Sequence, residues 1–270
     1  AYQDVAVKMT IDTAGNIYIT GYFNGTVDFN PNAGTNNLTA IGGRNAFICK
    51  LDGNGNYSWA IKFTNAYNQA YSMDCDANGN TYITGEFSQT VDFNPGAAIL
   101  NLTSQGFASD MFIVKLDNQG NLIWVKAIVG ESSEFSTDIK VDENGNVYSC
   151  GLFYGTADFD PSAGTCNLSS TKASTTDMFI TKFDFNGNLL WVKSFGDSLD
   201  DTGYRLAIDA IGNVYCVGWF YGTINFDQGA SNFSISTDQG NRNGFILKLD
   251  VTGNFVWANG IIGPGEVITF

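Results

Sequence analysis

In "VDFNP" Asp28 and Asn30 stand two residues apart, and the pair returns as Asp92 with Asn94, Asp158 with Asp160, and Asn225 with Asp227. On an extended segment residues two apart point to one side. Each pair therefore presents its side-chain oxygens together, while the phenylalanine between them points the other way, toward a core. Paired oxygens of this kind, with loop carbonyls nearby, are hard-cation ligands that suit Ca²⁺. The same side chains can instead bond their own loop backbone, stiffened by Pro31, Pro95 and Pro161. Both chemistries stay open. The fourth copy lacks the proline and carries Asn225 where the others have a carboxylate, so a cation site there should be the weakest. A second chemistry is offered by Trp219, the one tryptophan outside a repeating column, which takes the place of Tyr22, Glu86 and Leu152 in the other copies. It stands near Tyr221, whose counterpart is Tyr154, and an exposed aromatic face beside Asn and Asp groups can stack a sugar ring.

Catalysis finds little support. Histidine is absent, which removes the commonest general base and zinc ligand. The glutamates Glu86, Glu131, Glu134, Glu143 and Glu266 do not recur in register, and no nucleophile–base signature is present, so no catalytic residue is expected. The 270-residue chain carries 27 acidic against 13 basic residues, a formal charge of −14. That field repels phosphate backbones and anionic lipid and argues against nucleic-acid or membrane-surface partners. No apolar run approaches the length of a membrane-spanning helix. Cys49, Cys75, Cys150 and Cys216 stand at strand positions where other copies carry mostly Ile, Val or Thr, which reads as buried thiols; Cys166, in a loop, reads as accessible.

The elements that position these residues repeat. A Gly-Asn pair recurs at Gly15, Gly79, Gly145 and Gly212, a second at Gly55, Gly120, Gly187 and Gly253, and tryptophan follows in step at Trp59, Trp124, Trp191 and Trp257. The period is about 66 residues, which places copies at 1–66, 67–131, 132–199 and 200–263, with a tail at 264–270. The second copy reads most clearly. "YSMDCD", "NTYITGEF", "DMFIVKLD" and "NLIWVKAI" are β-branched and aromatic runs without helical period, strands a to d. "DANGN" joins a to b and "DNQGN" joins c to d, and both suit a type I turn closed by a left-handed glycine. This gives Asp12, Asp76, Asp142 and Asp209, with Asp52, Asp117, Asp184 and Asp250, a turn-capping role. Phe47, Phe112, Phe179 and Phe245 form a column in strand c and should face the core, as should the tryptophans of strand d. Lys50, Lys115, Lys182 and Lys248 form another, read as ion pairs between copies. The b–c connections are long and varied, and recognition is expected there.

Four antiparallel strands repeated in tandem describe the blades of a β-propeller: an all-β fold of four blades in one domain, or a stretch of a larger propeller or array. "DANGNTYITGEF", "DMFIVKLDNQGNLIWVKAI" and "GTVDFNPNAGT" resemble the SBBP β-propeller repeats of secreted and surface proteins of Bacteroidetes and related bacteria, four times over. The resemblance implies an exported, extracellular or cell-surface protein. Together the readings point to a non-enzymatic adhesion or binding module that presents repeated loops to glycans or cell-surface polymers. The alternative is a structural repeat of a surface filament or stalk, whose partners are sister subunits or other domains of a surface assembly; a propeller glycosidase, which needs two converging carboxylates, is the remaining and weaker reading.

Overall fold

A computed structural model describes residues 3–106, 108–229, 232–237 and 240–266; the last four residues of the expected tail lie outside it. The described residues form β-strands and no helix. Each copy carries six strands. The first holds β1 (Val5–Ile11), β2 (Ile17–Phe23), β3 (Thr26–Asp28), β4 (Asn37–Thr39), β5 (Asn45–Leu51) and β6 (Tyr57–Lys62). The second holds β7 (Asn68–Cys75), β8 (Thr81–Phe87), β9 (Thr90–Asp92), β10 (Asn101–Thr103), β11 (Asp110–Leu116) and β12 (Leu122–Gly130). The third holds β13 (Glu134–Val141), β14 (Val147–Phe153), β15 (Thr156–Asp158), β16 (Asn167–Ser169), β17 (Asp177–Phe183) and β18 (Leu189–Phe195). The fourth holds β19 (Thr202–Ile208), β20 (Val214–Phe220), β21 (Thr223–Asn225), β22 (Ser234–Ser236), β23 (Asn243–Leu249) and β24 (Phe255–Ile261). The four long strands of a copy pair antiparallel in chain order, β1-β2-β5-β6 in the first and likewise in the rest. Strands a to d are thus where the sequence places them.

The turns behave as their residues dictate. Gly15, Gly55, Gly79, Gly120, Gly145, Gly187, Gly212 and Gly253 all have φ between 75° and 85°, which costs an L side chain energy and glycine almost nothing. In each turn the aspartate Oδ1 accepts two backbone N–H groups, as Asp12 does from Ala14 and Asn16 at 2.9 Å. Its Oδ2 accepts the Asn16 amide at 2.8 Å and the Tyr18 hydroxyl at 3.1 Å.

Two features differ from the expectation of plain four-stranded blades. The b–c connection is not an open loop: it carries a short hairpin, β3 with β4 and its equivalents, braced by paired hydroxyls such as Thr26–Thr39 at 2.9 Å and Thr90–Thr103 at 2.8 Å. The sheets are also stitched from copy to copy. Thr64, past the end of β6, bridges Asp92 of β9, and Val129 and Gly130 of β12 pair with Asp158 and Ala157 of β15. A strand end that would leave its backbone groups unpaired finds them a partner in the next copy's hairpin.

Strand b carries a glycine in every copy for a steric reason. Strand a has a bulge opposite it, at Val7, Tyr71, Thr137 and Tyr204. The bulge drives a carbonyl into the place of a side chain: a Cβ on Gly85 would stand 2.0 Å from the Gln69 oxygen. The other three copies repeat this at Gly21, Gly151 and Gly218, with 1.8 to 2.0 Å.

The chain forms two compact units, residues 1–127 and 128–270. In the first, β7 packs on β1, β2 and β5, and Tyr18, Ala46 and Ile48 of the first copy share a core with Phe63, Met73, Ile83 and Phe112. In the second, β19 packs on β13, β14 and β17, joining Tyr148, Cys150 and Ile180 to Leu206, Cys216 and Phe245. The phenylalanine column of strand c is buried throughout. Cys49, Cys150 and Cys216 are buried as expected, whereas Cys75 and Cys166 are both half-buried; all five thiols are free.

Candidate functional site

The repeated phrase lies between copies. Its phenylalanine is a wedge: Phe93 packs on Phe87 and Phe112 of its own copy and on Phe63 of the copy before, with ring centres 5.3, 5.0 and 5.1 Å away. In the second unit Phe226 does the same against Phe220, Phe245 and Phe195. The flanking side chains hold the loop in shape. Asp28 Oδ1 accepts from the amides of Asn30 and Asn36, Asp92 Oδ1 from Asn94 and Leu100, and Asp158 Oδ1 from Asp160 and Cys166. Asn30, Asn94 and Asp160 each cap the residue two further on, as Asn225 and Asp227 do in the fourth copy. Asp28 is held below the usual carboxylate range by those two amides. One oxygen of each side chain in these pairs is thus committed to the backbone. Among the described residues no three acidic or cysteine side chains gather in a metal-binding group.

The phrase also does not stand clear of its sheet. In the first copy it folds back over the outer strands, where Asn32 accepts the Tyr57 amide at 2.6 Å and the Asn36 amide meets the Tyr57 hydroxyl. What it leaves beside it is a cleft. One, of about 260 Å³, is bounded by Ile61, Lys62 and Thr64 of the first copy and by Asp92, Asn94 and Pro95 of the second. The second unit has a counterpart of about 370 Å³ between Lys193 and Phe195 of the third copy and Asp227, Gln228 and Phe255 of the fourth. Each cleft has a lysine on one wall and motif side chains on the other. Burial pushes the Lys62 ammonium down, and neither Lys62 nor Lys193 makes a side-chain hydrogen bond or ion pair among the described residues.

The aromatic candidates are brought together in part. Trp219 and Tyr221 meet edge to face at 5.9 Å, but the Trp219 ring is already covered by the Arg242 guanidinium at 5.1 Å, which Glu266 holds at 3.2 Å. Tyr22 lies under Arg44 in the same way, at 4.7 Å. Tyr154 is half-buried, and its amide donates to the Ser133 carbonyl at 3.2 Å. The lysine column corrects an expectation: Lys50, Lys115, Lys182 and Lys248 sit over the rings of Tyr18, Tyr82, Tyr148 and Tyr215 at 4.9 to 5.0 Å. Lys50 and Lys182 reach on to the carbonyls of Asn118 and Val251, at 3.0 and 3.2 Å, in the next copy's c–d turn. A partly desolvated ammonium gains more from a ring face and a fixed carbonyl than from a solvated surface carboxylate. Trp59 and Trp191 donate to the same two carbonyls at 3.3 Å.

Two polar clusters escaped the sequence reading. Glu86 is buried and accepts hydrogen bonds from Tyr67, Tyr71 and Gln69. Burial and that carboxylate push both tyrosine hydroxyls well up. All three donors meet at one oxygen, Oε1, which ties the carboxylate into the side-chain network of its own copy. The other cluster holds Asp177, Asp197 and Asp201 between the third and fourth copies, where burial raises Asp177 and lifts Asp201 to about 8. The signal for it was positional: Asp177 shares the first position of strand c with Asn45, Asp110 and Asn243.

No protein-family model matches the chain, so none supports the SBBP assignment. An uncharacterized WD repeat-containing protein of Acanthamoeba polyphaga mimivirus is 26% identical over 235 residues, 75% of this chain and 17% of the relative. The regulatory protein FlaEY of Caulobacter vibrioides is 26% identical over 142 residues, 53% of this chain and 14% of the relative. The chain thus spans less than a fifth of either. A crystal structure of a protein of unknown function from Bacteroides caccae aligns with 89% of this chain and 93% of its own, at 11% identity and a TM-score of 0.25.

Proposed function

We propose that the chain is a β-propeller-type binding module of the extracellular space or cell surface, without enzymatic activity, that holds hydroxyl-rich polymers such as glycans in the clefts beside its repeated motif. The likeness to a WD repeat-containing protein and the tandem four-stranded sheets support the propeller architecture. The observation that carries the binding reading is a cleft beside the motif in both units, each lined by one lysine, by Asx side chains and by apolar residues, with Gln228 added in the second. Ammonium donors, amide and carboxylate acceptors and an aliphatic or aromatic wall are what a sugar ring requires. At 260 to 370 Å³ each cleft suits one or two rings, and weak seats on one chain add up through multivalency. Calcium is not part of this proposal, because one oxygen of each motif side chain already serves the loop.

A glycan microarray followed by calorimetry tests it. Binding of a polymer by the wild-type chain should weaken about tenfold when Lys62 and Lys193 are both changed to alanine, a loss near 1.4 kcal/mol. Trp219→Ala should have a smaller effect, since Arg242 covers that ring. An array without hits, or unchanged binding by the double variant, removes the reading.

A further inference from the structure

Cys150 of β14 and Cys216 of β20 belong to different copies of the second unit, yet both are fully buried in one core. Neighbouring positions on a strand face opposite ways. Cys150 holds the place of Thr20 and Thr84 in strand b, and Cys216 holds that of Ile19 and Ile83, one position earlier. The third copy therefore turns its cysteine toward the fourth, and the fourth turns its own back. The two sheets approach closely here. At the bulge of the third copy the Thr137 hydroxyl donates to the Gly203 carbonyl at 2.7 Å. The Arg205 guanidinium donates to the Thr137 carbonyl at 3.3 Å, and the Leu206 amide to the Asp138 carboxylate at 3.0 Å. Gly203 has no side chain, and one methyl group placed on it would stand 3.4 Å from Cys150 Cβ and 3.4 Å from Cys216 Sγ. The two cysteines thus border one small space. Burial and the facing Cys150 thiol push the Cys216 thiol up. In the first unit the corresponding residues are Thr20 and Ile83. Cys49 and Cys75 there have other neighbours, the Phe29 carbonyl at 3.8 Å and the Thr10 hydroxyl at 3.6 Å.

We propose that Cys150 and Cys216 are a cross-linking site, at which a disulfide joins strand b of the third copy to strand b of the fourth. The oxidant is a small disulfide of the glutathione class. One protein thiolate attacks a sulfur of that disulfide, breaks its S–S bond and expels one small thiolate, leaving a mixed disulfide. The second protein thiolate attacks the protein sulfur of the mixed disulfide, forms the Cys150–Cys216 bond and expels the other small thiolate. Each cysteine gives up its proton, and the two electrons end on the two small thiols. A mixed disulfide has no room in the closed core, so the first step belongs to moments when the junction is open and the second to its closing. Once formed, the bond closes a loop that contains the hairpin and strands c and d of the third copy, which limits the unfolded chain. It persists in an oxidising medium such as the extracellular space. The cross-link is independent of what the clefts hold.

Peptide mass mapping tests the proposal on the full chain, incubated with oxidised glutathione in urea just below the unfolding transition and then alkylated. The reference is the same chain kept in a phosphine reductant. One link should appear, between the peptides that carry Cys150 and Cys216, with Cys49, Cys75 and Cys166 left out of it. The oxidised chain should melt about 5–10 °C above the reduced one. Cys150→Ala and Cys216→Ala should each abolish the link and the shift, whereas Cys166→Ser should keep both. The map of the wild-type chain decides even where a variant folds poorly. If all five cysteines of the treated wild type stay unlinked, the proposal is overturned, as it is by a link between any other two. A Cys150–Cys216 link that fails to raise the melting temperature overturns it too, since the thiols would then meet only in a distorted junction.

Discussion

Asn45 and Asn68 line the junction between the first two copies, and Asp177 and Asp201 hold the same positions between the last two. In the first, the Asn45 amide donates to the carbonyls of Ile41, Arg44 and Ala66 at 2.9 to 3.1 Å. Asn68 donates to Ala66 at 2.8 Å and accepts from Ala46 at 2.9 Å. In the second, Asp177 Oδ2 accepts from the Thr171 amide and hydroxyl, while its Oδ1 is buried with no hydrogen-bond partner. Asp201 accepts from the amides of Asp197 and Tyr221. The backbone frame is the same: the Asn68 amide donates to the Arg44 carbonyl at 3.0 Å and the Asp201 amide to Thr176 at 2.9 Å. An amide can both give and take in a dry junction, whereas a carboxylate there must take only, or carry a proton. At these two positions the first junction carries nothing that titrates, and the second does.

The largest effect should fall on what the two junctions share. Removing the wedge by Phe93→Ala or Phe226→Ala empties a buried aromatic site and should cost about 3–5 kcal/mol in either unit. Phe29→Ala, at a ring that is half-buried where Phe93 is fully buried, should cost less than half as much. Urea unfolding combined with hydrogen exchange resolved by segment measures all three. Equal losses for Phe29 and Phe93 would show that the ring serves its own sheet rather than the junction.

The next effect breaks the difference. Asn45→Asp turns a donor toward three carbonyls into a carboxylate and should destabilise the first unit by about 3 kcal/mol near neutral pH. It should also give that unit the pH dependence of the second. For Asp201 the folded state holds the proton to about 8, against about 3.9 unfolded. Between those values the native state binds more protons, so the second unit should lose stability as pH rises from about 4 to 8. The turn aspartates Asp12 and Asp117, where hydrogen bonds from the turn outweigh burial and lower the group, act in the opposite sense and lose their contribution only as pH falls below about 4. Melting followed by exchange in each unit from pH 4 to 8 separates the two signs.

The repeat, its strands and its turns were legible because local chemistry dictates them: Gly-Asn pairs, capping aspartates and aromatic columns act within a few residues. The glycines at 21, 85, 151 and 218 were equally legible as bulge markers, since a glycine inside a strand asks what approaches it. The hairpin of β3 and β4 was written as well, in the alternation of "TVD" and "NLT", but three-residue strands fall below what periodicity can separate from loop. The site was harder. The side-by-side oxygens of Asp28 and Asn30 were readable, and their use was not, because the amides that occupy them come from loop closure. Lys62, Lys193 and Glu86 carry no local signal: one lysine lacks a repeat partner altogether, and each acquires its surroundings from a neighbouring strand or copy.

The smallest effect is a gain. Asp177→Asn should leave the Thr171 contacts to the amide oxygen and turn an NH₂ group toward the backbone that faces the carboxylate now. Asn45 shows that the frame accepts such a group, with three carbonyls in reach. At pH 8 the variant exchanges an unsatisfied buried oxygen for a donor, and the second unit should gain about 1–2 kcal/mol. Near pH 4 a larger share of the wild-type carboxyl carries a proton, because burial raises the group, and can itself donate, so the gain should shrink. A gain equal at both pH values would mean that the proton on Asp177 plays no part and that the benefit comes from packing alone. A loss at pH 8 would place a donor or a cation at Oδ1, and the contrast between the two junctions would then rest on Asp201.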